Sequence, residues 1–258
     1  MVVRVSPTLK SMRVLLLAGV AALALSACAS NRASMNQPDF AGQPAGSAQH
    51  TLAELGARYK ARPQDKVTII YYAAALRAAG QPEQAVSVIE NGLAVHRNDI
   101  DLQIAYSKAL TAAGRFEQAL TVADAAIDPA SPDWNALLVK GAILDQNGRN
   151  KEARALYTQA LLVAPNEASL EANMGLSFAM TNELDSAEKH LRRAVGMRGA
   201  NSQIRQNLAL VIGLQGRFDE CREMFARELP PDQVEANMAY IRALLTQQNR
   251  WDLIKGAT

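Results

Sequence analysis

Three glycines, Gly80, Gly114 and Gly148, stand 34 residues apart, and the same step continues through Asn182 to Gly216. Glycine and asparagine are the residues that most readily close a helix in the left-handed conformation. One such residue in every 34 constrains the chain to a helix–turn–helix unit repeated in tandem. A unit of that size cannot bury its apolar face alone, so each must stack on its neighbours.

Other positions keep the same register. With the recurring glycine at position 15, repeats start at Lys66, Ile100, Trp134, Ala168 and Ser202. Position 8 reads Ala73, Ser107, Gly141, Gly175 and Ala209, and position 20 reads Ala85, Ala119, Ala153, Ala187 and Cys221. Position 27 reads Gly92, Ala126, Ala160 and Ala194, and fails only at Glu228. Small residues recur there because paired helices approach closely and a larger side chain would force them apart. Leu76, Leu110, Leu144, Phe178 and Ile212, all at position 11, supply the bulk that fills the seam.

Both ends of the array are less regular. Gln248-Asn249-Arg250-Trp251 echoes Gln215-Gly216-Arg217-Phe218, which predicts a degenerate sixth helix pair over 235–255 that turns at Asn249. Pro230-Pro231 ends the preceding helix and Asp232 is placed to cap the next. Upstream, Leu52, Leu55 and Tyr59 lie along one face of an amphipathic helix over 51–61. That helix is either the second half of a truncated repeat or an N-terminal cap.

The third unit, with Gly141, Gly148, Ala153, Tyr157, Ala160 and Pro165, resembles the tetratricopeptide repeat. The resemblance implies an all-α, right-handed solenoid over residues 50–255, with repeats near 66–99, 100–133, 134–167, 168–201 and 202–234. Composition agrees, since hydrophobic residues make up 49% of the chain but aromatics only 5%, so the core must be built from alanine and leucine. No segment shows the alternating β-branched pattern of a sheet.

The first 48 residues read as an address. Arg4, Lys10 and Arg13 precede an uncharged apolar run from Val14 to Leu25, the pattern of a secretion signal over 1–27. The run is too short to cross a bilayer core, which needs about 20 helical residues. It ends in Leu25-Ser26-Ala27-Cys28, which resembles the bacterial lipobox. The resemblance implies that Cys28 is acylated and becomes the mature N-terminus; ordinary signal cleavage after Ala24 or Ala29 is the alternative. Several acyl chains anchor stably where one binds only marginally. Ala29 in place of an aspartate implies the outer membrane, on its periplasmic face. Ser30 to Gln49 is polar and rich in small residues, so a flexible tether is expected.

The chain carries 27 basic and 25 acidic residues, but three of the bases lie in the signal. The remainder has no basic excess, so charge gives nucleic-acid binding no support. Beyond Cys28 only Cys221 remains, at a small-residue position where a packing role is expected over a redox one. His50, His96 and His190 have no metal-ligand spacing. The sequence holds no phosphate loop, no Gly-x-Ser-x-Gly elbow and no His-Glu-x-x-His, and neither an enzyme nor a cofactor is expected.

In a solenoid of this family the first helix of each pair lines a concave groove. Repeats one to three would place Val67, Ile70, Ala74, Ile104 and Leu138 there, with Arg77, Lys108 and Asp145. Repeats four and five would place Asn173, Leu176, Gln203, Gln206, Asn207 and Leu210. Asn173 and Asn207 share position 6, where tetratricopeptide proteins often use asparagine against the backbone of a bound peptide. Equally, these asparagines could cap or bridge neighbouring helices, and the apolar half could be covered by the chain's own first helix. Ser169 and Gln203 stand where the chaperone-binding relatives have lysines for a C-terminal carboxylate.

The ending is more discriminating than the repeats. Ile204 to Phe218 (IRQNLALVIGLQGRF), then Leu229-Pro-Pro-Asp232 and Asn237 to Arg242 (NMAYIR), resembles the TadD family of tetratricopeptide lipoproteins. With the lipobox and tether, the likeness covers the whole chain. It implies a non-enzymatic outer-membrane lipoprotein of the tight-adherence (Tad, or Flp) pilus machine, pilotin-like toward the secretin or serving another periplasmic component. The alternative is a general periplasmic scaffold for cell-wall enzymes or outer-membrane assembly factors.

Overall fold

The computed structural model describes the backbone of residues 45–256 and the side-chain environment of 50–246. The signal segment, Cys28 and the tether as far as residue 44 lie outside the described residues. Within them the chain forms twelve helices and no strand. They fall into two compact units, one reaching Asn166 and the other starting at Glu167.

In the N-terminal unit, α1 (Ala45–Ala61) is followed by three helix pairs. These are α2 (Lys66–Ala78) with α3 (Pro82–Val95), α4 (Ile100–Ala112) with α5 (Phe116–Ala125), and α6 (Trp134–Gln146) with α7 (Asn150–Val163). The C-terminal unit holds α8 (Ala168–Met180) with α9 (Leu184–Gly196), α10 (Ser202–Leu214) with α11 (Phe218–Ala226), and α12 (Pro231–Gly256).

Each first helix ends in the same device. Gly80, Gly114, Gly148, Asn182 and Gly216 all have φ between 62° and 82°. The next backbone N–H then bonds back to the carbonyl at position 11, as in Arg149 to Leu144 at 2.8 Å and Glu183 to Phe178 at 2.9 Å. This six-to-one bond is the Schellman closure, and it needs the left-handed residue. Starts are equally regular. Asp65, Asp99, Asp133 and Asn201 each accept from a backbone N–H of the following turn at 2.8–3.1 Å. With Glu167 they form a second 34-residue row, though Glu167 makes no side-chain cap.

Packing explains the small residues. Ala85, Ala119, Ala153, Ala187 and Cys221 are all fully buried. A Cβ on Gly175 would lie 2.7 Å from Leu191 Cγ and 3.0 Å from the Ala187 carbonyl oxygen. Position 27 fails at Glu228 because α11 has already ended at Ala226. Glu228 instead takes a two-point bond from Arg205, at 2.5 and 3.0 Å.

Two expectations are corrected. Helix α1 starts at Ala45, so residues 45–49 of the expected tether are helical; Ala45, Ala48 and Gln49 are good helix formers that extend the helix backwards. It packs on α2 through buried Leu55 and a stack of Tyr59 on Tyr72 with centroids 5.3 Å apart. The expected sixth pair is absent, because α12 runs unbroken through Asn249 to Gly256. Asparagine lacks glycine's freedom, and the helix formers around 249 favour continuation over a turn.

Candidate functional site

The first helices carry all fourteen of the residues expected to line a groove, and ten of them are buried. In the N-terminal unit Ile70, Ile104 and Leu138 are at most 2% exposed, and Ala74 is buried beside them. They form one row through α2, α4 and α6 and act as core. Of that group Val67 is exposed, at 42%.

The charges expected there are also engaged. Asp145 is buried on α6, accepting from the Tyr157 hydroxyl at 2.8 Å and from Asn150 Nδ2 at 2.7 Å. That bracket holds α6 against α7 and leaves no open carboxylate. Lys108 is buried and Arg77 is half-buried, and each has an interaction partner.

The C-terminal unit brings its expected residues onto two adjacent helices, α8 and α10. Leu176 and Leu210 are buried. Asn173 is buried and its Nδ2 donates to the Ser169 carbonyl at 2.8 Å, one turn back on the same helix. Gln203 Nε2 donates to Asn207 Oδ1 at 3.0 Å, and Gln206 Nε2 to the Ser202 hydroxyl at 3.0 Å. Both glutamines are half-exposed, whereas Asn207 is 1% exposed. With its oxygen fixed by Gln203, the Asn207 amide orients its Nδ2, which has no hydrogen-bond acceptor. The buried Ser169 hydroxyl is likewise unpartnered. A buried donor without an acceptor costs about 1–3 kcal/mol, so both groups are held at a cost that the fold itself does not recover.

One cluster lies outside the residues expected from sequence. Glu171, buried on α8, lies 2.6 Å from His190 Nδ1 and accepts from Arg193 at 3.0 Å. The His190 ring stacks on Phe178 with centroids 5.2 Å apart. Its sequence signal is faint: position 4 of the repeat is variable, reading Ile69, Gln103, Leu137, Glu171 and Arg205, and the partners of Glu171 lie 19 and 22 residues on. It joins α8 to α9 and offers no nucleophile.

Cys221 packs in the core with Sγ 3.6 Å from Met238 Sδ, and burial pushes its thiol up to about 11. Among the described residues no cluster of His, Cys, Asp or Glu could hold a metal ion. No described helix is long and apolar enough to cross a membrane.

Three family models, each described as tetratricopeptide repeat, match residues 76–141, 138–203 and 205–227. Among solved structures, the chain is similar to TTC0263, a thermophilic tetratricopeptide-repeat protein of Thermus thermophilus. Identity is 21%, with 68% of this chain and 97% of that one covered at a TM-score of 0.60. It is also similar to a tetratricopeptide-repeat protein from Parabacteroides merdae, at 16% identity, covering 80% and 81% of the two chains with a TM-score of 0.54. A search of curated proteins gave no match.

Proposed function

From the premise that this chain belongs to the tetratricopeptide-repeat family, we propose that it is a membrane-anchored lipoprotein that holds an extended protein segment for the Tad pilus machine. Tetratricopeptide repeats are protein-interaction scaffolds, and the known members are generally non-catalytic. The observation that carries the contact is Asn207: a buried amide whose oxygen is pinned by Gln203 and whose nitrogen has no acceptor. An extended backbone supplies the missing carbonyl oxygen and asks little of sequence. The half-exposed Gln203 and Gln206 beside it suit a neutral partner better than an acidic one.

The Tad assignment draws on the sequence from Ile204 to Arg242, and the anchor on Leu25-Ser26-Ala27-Cys28. Acylated Cys28 fixes the protein to the periplasmic face of the outer membrane. A secretin or other component held on the same membrane then meets it at raised effective concentration, so a weak contact suffices. The test is crosslinking in cells, purification from detergent-solubilised envelopes, and mass spectrometry. Enrichment of the Tad secretin or its periplasmic associates, lost in Asn207→Ala, supports the proposal. Enrichment of cell-wall enzymes or outer-membrane assembly factors without any Tad component replaces it with a general scaffold.

A further inference from the structure

Among the described residues, four buried side-chain atoms have no hydrogen-bond partner: Gln146 Nε2, Ser169 Oγ, Asn207 Nδ2 and Tyr240 Oη. Gln146 ends α6, Ser169 lies on α8 and Asn207 on α10, the first helices of their pairs. Tyr240 lies on α12, which packs on α10 and α11 as α10 packs on α8 and α9, and so fills the place of a first helix. None of the four is on a second helix. Buried polar groups are normally paired, so unpaired atoms confined to one class of helix need a reason beyond folding.

Three of the four belong to the C-terminal unit and stand on successive first helices. Aligning Gln248–Trp251 on Gln215–Phe218 matches Tyr240 with Asn207, and Ser169 stands one turn nearer the start of its helix. The stripes that carry these groups are uncharged. Asn173 and Leu176 follow Ser169, Leu210 follows Asn207, and Leu244 follows Tyr240, at helical spacing. Charges close by in sequence are engaged elsewhere: Arg205 bonds Glu228, Glu235 pairs with Arg222, and Arg242 lies over the Phe218 ring. Burial also pushes the Tyr240 hydroxyl up, which keeps its proton in place.

Ser169, Asn207 and Tyr240 can each donate a hydrogen, and none carries a charge. Such a set suits carbonyl oxygens, whereas a carboxylate here would be buried without a cation. Spacing narrows the conformation. Packed helices stand about 8–10 Å apart. In a β-strand the carbonyls on one side recur every two residues, about 6.7 Å. In a polyproline II helix they recur every three residues, about 9.3 Å, and none is tied up internally. The second repeat matches neighbouring helices and the first does not.

We propose that Ser169, Asn207 and Tyr240 hold an uncharged segment in the polyproline II conformation, laid across α8, α10 and α12, with the carbonyl of every third residue accepting from the row. The proposal rests on the reading of Asn207 given above and adds two contacts, a charge class and a conformation. Gln206, half-exposed and bonded to Ser202 of its own helix at 3.0 Å, is the side chain that swings aside to admit the segment. The row needs no N–H from the segment, so proline is tolerated along it.

The test pans the full chain, isolated from envelopes in detergent, against a random library of twelve-residue peptides. The library contains no pilus protein, so its outcome is independent of whether the Tad secretin is the partner. Enriched peptides should be uncharged and rich in proline. Fluorescence anisotropy should find Ser169→Ala, Asn207→Ala and Tyr240→Phe each binding them roughly five- to tenfold more weakly. Ser169→Ala and Tyr240→Phe remove atoms that no partner satisfies, so their melting midpoints should be unchanged or higher. Esters substituted for single amides of the peptide, whose carbonyls accept weakly, should reduce binding at positions three residues apart. Losses two residues apart overturn the polyproline II conformation, and enriched peptides that need a carboxylate overturn the uncharged class. Lower midpoints for both hydroxyl variants would show that the fold itself uses these groups, and overturn the row as a binding site. So would enriched peptides that bind all three variants like the parent, or a library that yields none.

Discussion

The Tyr157 hydroxyl donates to Asp145 at 2.8 Å while its ring lies directly over Gly141, one turn earlier on the same helix as that aspartate. Both Tyr157 and Asp145 are buried, so the third helix pair is locked by one polar bracket and one close approach.

Gly141→Ala puts a methyl group into the Tyr157 ring, which is held by its own hydrogen bond and cannot swing away. The expected loss is about 1–3 kcal/mol. Tyr157→Phe keeps the packing but removes the hydroxyl that donates to the buried Asp145 carboxylate, and should cost a similar amount, about 1–3 kcal/mol. Urea unfolding followed by circular dichroism gives both values, and an unchanged midpoint for Gly141→Ala would contradict the close approach.

The turns predict a gain as well as losses. Asn182 holds a φ of 62° without glycine's freedom. Asn182→Gly should therefore be neutral or stabilising by up to about 1 kcal/mol, whereas Gly148→Ala should cost about 1–2 kcal/mol. In thermal melts Gly148→Ala should lower the midpoint and Asn182→Gly should leave it unchanged or raise it; parallel destabilisation would show that Asn182 does more than close its helix.

Alkaline stability follows from two weak acids, the buried Cys221 and the half-buried Tyr106. Burial raises the Cys221 thiol from 9.0 to about 11, and burial, then the Glu90 carboxylate that accepts from its hydroxyl, raises Tyr106 from 10.0 to about 12. In each case the unfolded chain gives up its proton first, so folding stability is intact below about pH 9 and falls as pH climbs toward 12. Cys221→Ala should remove the first part of that fall. The folded thiol should also react slowly with a disulfide reagent at pH 8 and quickly once urea unfolds the chain.

Glu188 stands between Arg192 and Arg217, at 2.7 and 2.9 Å, and Arg217 also pairs with Glu220. Burial alone would raise Glu188, but the bonds from Arg217 and Arg192 outweigh it and hold the carboxylate low. Its contribution is present above the usual 4.5 and disappears as pH falls through the lowered value. The arginines are exposed, so Glu188→Gln should cost no more than about 1 kcal/mol, and less in high salt. A loss that persists in molar salt would point to packing instead of charge.

The repeat is legible in the sequence because a left-handed turn and a close helix contact each admit few residue types, and both recur every 34 positions. The row of capping residues from Asp65 to Asn201 recurs as strictly, but aspartate and asparagine are also common on solvated faces, so the row stands out only once the helix starts are known. Helix α12 departs from expectation because an asparagine can close a helix only where the turn around it favours closure, which Asn182 has and Asn249 lacks. Groove positions are legible as positions but not as exposed surface. Whether Ile70, Ile104 or Leu138 faces solvent depends on its neighbours in three dimensions, and all three are core. Hydrogen bonding draws the further distinction that sequence could not, between Asn173, which serves its own helix, and Asn207, which retains a donor.

That difference predicts how two asparagines at one repeat position diverge. Asn207→Ala removes a donor that has no acceptor, so its stability cost should stay near 1 kcal/mol, roughly the worth of the single bond to Gln203. If a partner's carbonyl accepts from that donor, capture of the partner should drop roughly five- to tenfold, the equivalent of one buried hydrogen bond. Asn173→Ala instead removes a bond to the Ser169 carbonyl within α8 and should affect capture less. Crosslinking yield to the Tad secretin, measured at matched expression in cells, reads both variants. Equal losses would mean that the two asparagines act together on the partner. No loss at Asn207 would remove the contact on which the proposed function rests.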